Sequence, residues 1–175
     1  DNRTPEKRHI RYKDGTIIYY NPEMLTTLFD FRRQIRDDRD MKLVYTGITG
    51  TGKSTVAQQH AKFLCPDFCE EDVVFKASEL VERAYQLPKY SVLVYDEAGE
   101  RGGTDKSLSR ESRALVEFFR VIRSKNLCFL MCIPNFLKLN GEIATDHTDG
   151  VVEVYEVENE TYNRRNPTSL QLYRG

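Results

Sequence analysis

The stretch Gly47-Ile48-Thr49-Gly50-Thr51-Gly52-Lys53-Ser54 has the residue types and spacing needed to hold a chain of phosphates. Glycines let the backbone turn so that several N–H groups point inward at phosphate oxygens, and a helix starting near Lys53 adds its positive dipole end. The binding set expected from this pattern is Gly47, Thr49, Gly50, Thr51, Gly52, Lys53, Ser54 and Thr55. Lys53 would reach the β- and γ-phosphates, and the Ser54 hydroxyl would ligate Mg²⁺. A merely flexible glycine turn would leave the lysine without a purpose.

A second group of chemistry-bearing residues follows at Val92-Leu93-Val94-Tyr95-Asp96-Glu97, an apolar run ending in two carboxylates. Ligands of open α/β sheets sit outside the carboxyl ends of the strands, so Asp96 is expected beside the phosphate loop as a metal ligand. The bland alternative is a strand-end cap. Glu97 is the candidate to orient or deprotonate an attacking water, with a solvated surface acid as its alternative. Asn135 ends the run LCFLMCIPN and is read either as a sensor of the γ-phosphate or as an ordinary turn residue after Pro134. Arg110, Arg113 and Arg120 lie opposite the apolar face of the segment 109–124, with Arg123 at its border. They are either a solvated stripe or include a group, such as Arg120, that reaches a neighbouring subunit's γ-phosphate or a nucleic-acid backbone. The glycine-rich loop 99–105 is either an element that closes on a ligand or a surface connection.

These residues need elements to position them. Apolar strands are expected at Leu43 to Thr46, Val73 to Phe75, Ser91 to Tyr95 and Leu127 to Ile133, alternating with helices near 53–64, 78–86 and 109–124, the last capped by Ser109. That alternation predicts an α/β fold of three layers with a mostly parallel central sheet. Ahead of it, Asp14-Gly15 between two β-rich runs predicts a small hairpin, and Asn21-Pro22 predicts a helix through Met24, Leu25, Leu28, Phe29 and Phe31 toward Ile35. The division expected is an accessory hairpin and helix in 1–40 and the nucleotide-binding domain in 41–175. Of the late runs GVVEVYEVEN and TSLQLYRG, one is expected to complete the sheet.

Composition narrows the partners. With 26 basic against 27 acidic residues, the molecule has no overall field to draw it onto DNA or an anionic membrane, so any nucleic-acid surface must be a local basic one. No apolar run approaches a membrane span, and a soluble cytoplasmic protein is expected. The cysteine pairs Cys65/Cys69 and Cys128/Cys132 invite a zinc site, but Cys128 and Cys132, four residues apart along an expected strand, stand roughly 13 Å apart, so core cysteines or an inert surface thiol are expected instead.

From the phosphate loop to about residue 157, the order of these motifs resembles the P-loop NTPases of the RecA-like division, which carry an additional strand and a catalytic glutamate. The resemblance implies a sheet order of 5-1-4-3-2, counting from the strand before the loop. Within that division, the DEAGE and IPNF segments are similar to small ATPases of viruses and mobile elements related to FtsK-HerA packaging motors and zonular-occludens-toxin-like proteins. Many such motors have Gln where this chain has Asn135. The activity implied is Mg²⁺-dependent ATP hydrolysis by a homo-oligomer acting on DNA, in the host cytoplasm if the chain is viral. A nucleoside or nucleotide kinase, or an ATP-dependent partner-binding module of low turnover, are the alternatives. ATP is favoured over GTP because no N-K-x-D base-reading motif is present.

Overall fold

In the computed structural model, which describes residues 8–96, 105–134, 147–155 and 169–174, a hairpin of β1 (Arg8–Arg11) and β2 (Ile17–Tyr20) leads into α1 (Pro22–Arg36). There follow β3 (Met41–Thr46), α2 (Lys53–Leu64), β4 (Val73–Val74), α3 (Ala77–Gln86), β5 (Val92–Asp96), α4 (Asp105–Val121), β6 (Cys128–Cys132), β7 (Gly150–Tyr155) and β8 (Ser169–Arg174). The sheet order is β4-β5-β6-β3-β7-β8. All neighbours are parallel except the antiparallel pair β7 and β8. Read from β7 and numbered from β3, the five parallel strands stand in the order 5-1-4-3-2. Both late runs join the sheet, not one. β8 pairs along β7 from Gly150↔Arg174 to Tyr155↔Ser169.

The strands are apolar on both faces because both are covered. Met41, Leu43 and Tyr45 of β3, Val92 and Val94 of β5, and Val152 and Val154 of β7 share one cluster with α1 and α2. Val44, Leu93, Tyr95, Phe129 and Met131 face the other way and pack on α3 and α4. The hairpin joins the first cluster. The Tyr20 hydroxyl donates to the Gln59 carbonyl at 3.0 Å, and its ring meets Phe63 edge-on at 5.6 Å.

Local chemistry explains the ends of these elements. Asn21 caps α1, its side-chain oxygen accepting from the N–H groups of Glu23 and Met24. The hairpin turn is longer than a two-residue one: Gly15 N–H donates to Tyr12 O at 3.0 Å and Tyr12 N–H to Thr16 O at 2.8 Å, with Gly15 at φ +87°. Glycine there supplies the left-handed residue that closes a three-residue loop. The Lys125 ammonium donates to the Leu87 and Ala84 carbonyls and also bonds Tyr85 O, ending α3 with a cation on its free carbonyls.

Several expectations are corrected. α4 begins at Asp105, so Ser109 is inside the helix and does not cap it. Upstream residues already satisfy the helical pattern, and capping chemistry alone did not reveal that. β4 stops at Val74, and Phe75 is 48% exposed beyond the pairing with β5. The cysteines stand as expected, with Cys128 and Cys132 in the core, Cys65 half-buried and Cys69 exposed, and burial raises the Cys128 and Cys132 thiols well above their ordinary pKa. Among the described residues, no helix is long and apolar enough to cross a membrane.

Candidate phosphate-binding site

β3 delivers the chain to the carboxyl edge of the sheet, and the segment 47–52 then turns back into α2 through three glycines with positive φ. These are Gly47 at +143°, Gly50 at +93° and Gly52 at +86°. Gly47 passes so close to β7 that a Cβ on it would lie 2.2 Å from the Val154 carbonyl oxygen. Gly52 stands at the N-cap of α2, and no side chain among the described residues caps that helix. The first N–H groups of a helix have no intrahelical acceptor, so those of Lys53, Ser54 and Thr55 are free to serve an anion, aided by the dipole.

The loop braces itself on one carbonyl. Ile48 O accepts from the Thr51 hydroxyl at 2.8 Å, from Thr51 N–H at 3.3 Å and from the Lys53 ammonium at 2.9 Å. Lys53 also donates to Gly47 O at 2.8 Å. Its side chain is buried. Desolvation lowers the lysine pKa, with Cys132 and Asp96 acting in the opposite direction. Thr49 and Gly50 form the exposed tip, Ser54 is half-buried and Thr55 is exposed.

Asp96 is the last residue of β5 and is buried. It pairs in register with Cys132 of β6, which pairs with Tyr45 of β3. Asp96 therefore stands at the same edge as the loop, with one strand between them, and within electrostatic reach of Lys53. The uncapped helix and the glycine turn fit a phosphate chain, and a hydroxyl with a carboxylate is an oxygen donor set suited to Mg²⁺. Glu97 and Asn135 immediately follow described residues at this edge, but they and residues 99–104 lie outside the described part.

Arg120 is placed elsewhere. It is exposed in the last turn of α4 and pairs with Glu117 at 3.1 Å, close to the amino end of β6 rather than the end bearing Cys132. Within one chain the structure does not bring Arg120 to Lys53 and Asp96.

Two residues absent from the sequence reading matter here. His60 of α2 is buried with its Nδ1 2.8 Å from the Tyr45 hydroxyl, directly beneath the loop strand. Its signal in the sequence was its position on the apolar stripe Val56, Ala57, His60, Ala61 and Leu64. Burial lowers the His60 pKa from 6.5 to about 3. The folded state thus binds fewer protons than the unfolded one between those values, so this contribution is whole above pH 6.5 and is lost as pH falls toward 3. Wild-type stability is expected to drop below pH 6.5 with an added slope approaching about 1.4 kcal/mol per pH unit. Urea denaturation from pH 7.5 to 4.5 should show that component disappearing in His60→Gln. The second residue is Lys42, buried in β3 with its ammonium bonded to Asp40 and 5.5 Å from the centre of the Phe119 ring. Partnering of this kind is what makes a buried cation tolerable.

No protein-family model matches the chain. No curated protein sequence matches it either. Among solved structures, it is similar to a KaiC-like protein of Pyrococcus horikoshii, with 12% identity, a TM-score of 0.49, and coverage of 78% of this chain and 80% of that one. It is also similar to the DnaC helicase loader, with 18% identity, a TM-score of 0.38, and coverage of 66% and 75%. The chemical interpretation rests on the residues of the loop and sheet edge.

Proposed function

We propose that this chain is a Mg²⁺-dependent ATPase that cleaves the β–γ phosphate bond, and that it works as an oligomer on DNA, in translocation, packaging or remodelling. Residues 41–175 form the ATPase unit and 1–40 are accessory to it. One observation carries the hydrolytic reading: the braced glycine loop, the uncapped start of α2 and the Lys53–Asp96 neighbourhood meet at one carboxyl edge.

In this assignment the backbone N–H groups of the loop and of α2 hold the phosphates. Lys53 exchanges its bonds to Gly47 and Ile48 for bonds to the β- and γ-phosphate oxygens. Ser54 and Asp96 would hold the metal, which when bound neutralises charge on the phosphate oxygens. Glu97 takes the proton of the attacking water, Asn135 senses the γ-phosphate, and Arg120 serves a neighbouring subunit's site.

The test is phosphate release from Mg-ATP by wild type and Glu97→Gln, with and without single- and double-stranded DNA. Glu97→Gln is expected to lower turnover by about 10²–10⁴-fold while ATP still binds. Loss of ATP binding in that variant would remove Glu97 from the role of base. Stimulation by DNA supports a polymer-directed enzyme, and indifference to DNA contradicts it. ADP formation that requires an added nucleoside, with the γ-phosphoryl group carried onto that acceptor and no phosphate released, would make the chain a kinase.

A further inference from the structure

At the end of the sheet opposite the phosphate loop, the structure holds a cleft of about 280 Å³. Its walls include Arg32, Ile35 and Arg36 of α1, together with Asp67, Lys89 and Tyr90 from the connections after α2 and before β5. The volume is close to the lower bound, about 300 Å³, of clefts that take small ligands. Residues 36, 65 and 91 all lie where strands begin, whereas the loop lies where they end. The six residues of β3 separate the two regions by about 20 Å.

Arg32 is the telling side chain. Its guanidinium carbon stands 5.8 Å from the centre of the Phe63 ring, and Nε is buried with no hydrogen-bond partner among the described residues. A buried N–H without an acceptor costs about 1–3 kcal/mol. Nε is closed to solvent, so it is the outer part of the Arg32 side chain that lines the cleft and can meet a ligand there. Arg36 lies one helical turn on, on the same side of α1, and Lys89 faces it from the other wall. Asp67, the Asp38 carboxylate bonded to Tyr90 and the carbonyl ends of α1 and α2 oppose an anion, and the three cations exceed the two carboxylates by one charge. The Tyr90 hydroxyl is already committed, donating to Asp38 at 3.0 Å, and this helps hold the wall in place.

The geometry points to a phosphate-binding cleft at the amino end of the sheet, formed by Arg32, Arg36 and Lys89 and separate from the phosphate loop. A guanidinium fork and two further cations suit a group carrying one or two negative charges, either a phosphodiester of single-stranded nucleic acid or free phosphate. This site does not depend on the chain being an ATPase, and ATP binding is measured separately so that either can fail alone.

The experiment uses the whole chain and two probes. Fluorescence anisotropy follows a labelled oligothymidine of about 20 nucleotides across a salt series, and thermal denaturation at low ionic strength follows inorganic phosphate in a Lys53→Ala background that silences the loop. The variants are Arg32→Gln/Arg36→Gln/Lys89→Gln and, because Arg32 is half-buried, Arg36→Gln/Lys89→Gln alone. Oligonucleotide affinity that falls about tenfold or more, with the logarithmic salt slope reduced by about 2 in the triple variant and about 1.4 in the double, supports the site and names nucleic acid as the source. Absence of oligonucleotide binding with a phosphate-dependent rise in Tm that the variants abolish supports the site and names free phosphate. Responses to both probes that the variants leave unchanged, or no response to either, overturn it.

Discussion

Lys53→Ala is expected to lower phosphate release from Mg-ATP by about 10²–10³-fold, the usual consequence of removing one preorganised positive donor from a developing charge. The structure explains why the loss should fall on binding and chemistry rather than on folding. The Lys53 ammonium makes two hydrogen bonds to loop carbonyls, which favour it, but it is desolvated, which disfavours its charged form. These effects oppose one another, and the net cost in stability should be about 1 kcal/mol, or roughly 2–4 °C in Tm for a chain of this size. Lys53→Arg should not rescue, because a planar fork cannot reproduce a point charge that turns from carbonyls to phosphates. The assay pairs phosphate release with equilibrium binding of a fluorescent ATP analogue and a melting curve. Turnover that survives Lys53→Ala would remove the loop from the reaction.

Gly47→Ala is expected to be the most destabilising single substitution in the loop. The added Cβ would sit 2.2 Å from the Val154 carbonyl oxygen and 3.2 Å from its carbon, both backbone atoms of a central strand. The φ of +143° is unfavourable for any L side chain. Overpacking and backbone strain together should cost about 2–5 kcal/mol and move the loop off the sheet edge. Gly50→Ala is the control, with φ +93° but nothing among the described residues within 4 Å of its Cβ, so its cost should be about 1–2 kcal/mol of backbone strain alone. Urea midpoints separate the two. Equal costs would mean that loop and β7 can part without penalty.

Much of this site was legible in the chain because its chemistry is local. The spacing of Gly47, Gly52, Lys53 and Ser54 describes one turn from strand to helix, and Asp96 closes an apolar run that could only be a buried strand. Asn21 and Gly15 announced their cap and turn through chemistry confined to neighbouring residues. The start of α4 was harder, since Ser109 can cap a helix or lie within one, and only the course of the preceding backbone decides between them.

What resisted sequence reading depends on residues far apart in the chain. Asp38, Tyr90 and Asn126 each have φ between +50° and +67°, and the Asp38 carboxylate accepts from both of the others, at 3.0 Å from Tyr90 and 2.6 Å from Asn126. Each precedes a strand, and parallel pairing alone draws them together. The same is true of Gly47 against Val154, of Lys42 over Phe119, and of the cleft that assembles Arg32 and Arg36 with Lys89. By itself the sequence determined the loop, the helix it starts and the carboxylate-ended strand, because backbone geometry and residue type act over a few bonds. Only the tertiary structure decided which carbonyls hold Lys53, what Gly47 must make room for, and where three cations converge, because those outcomes follow from how the sheet orders its strands and how two layers of helices close over it.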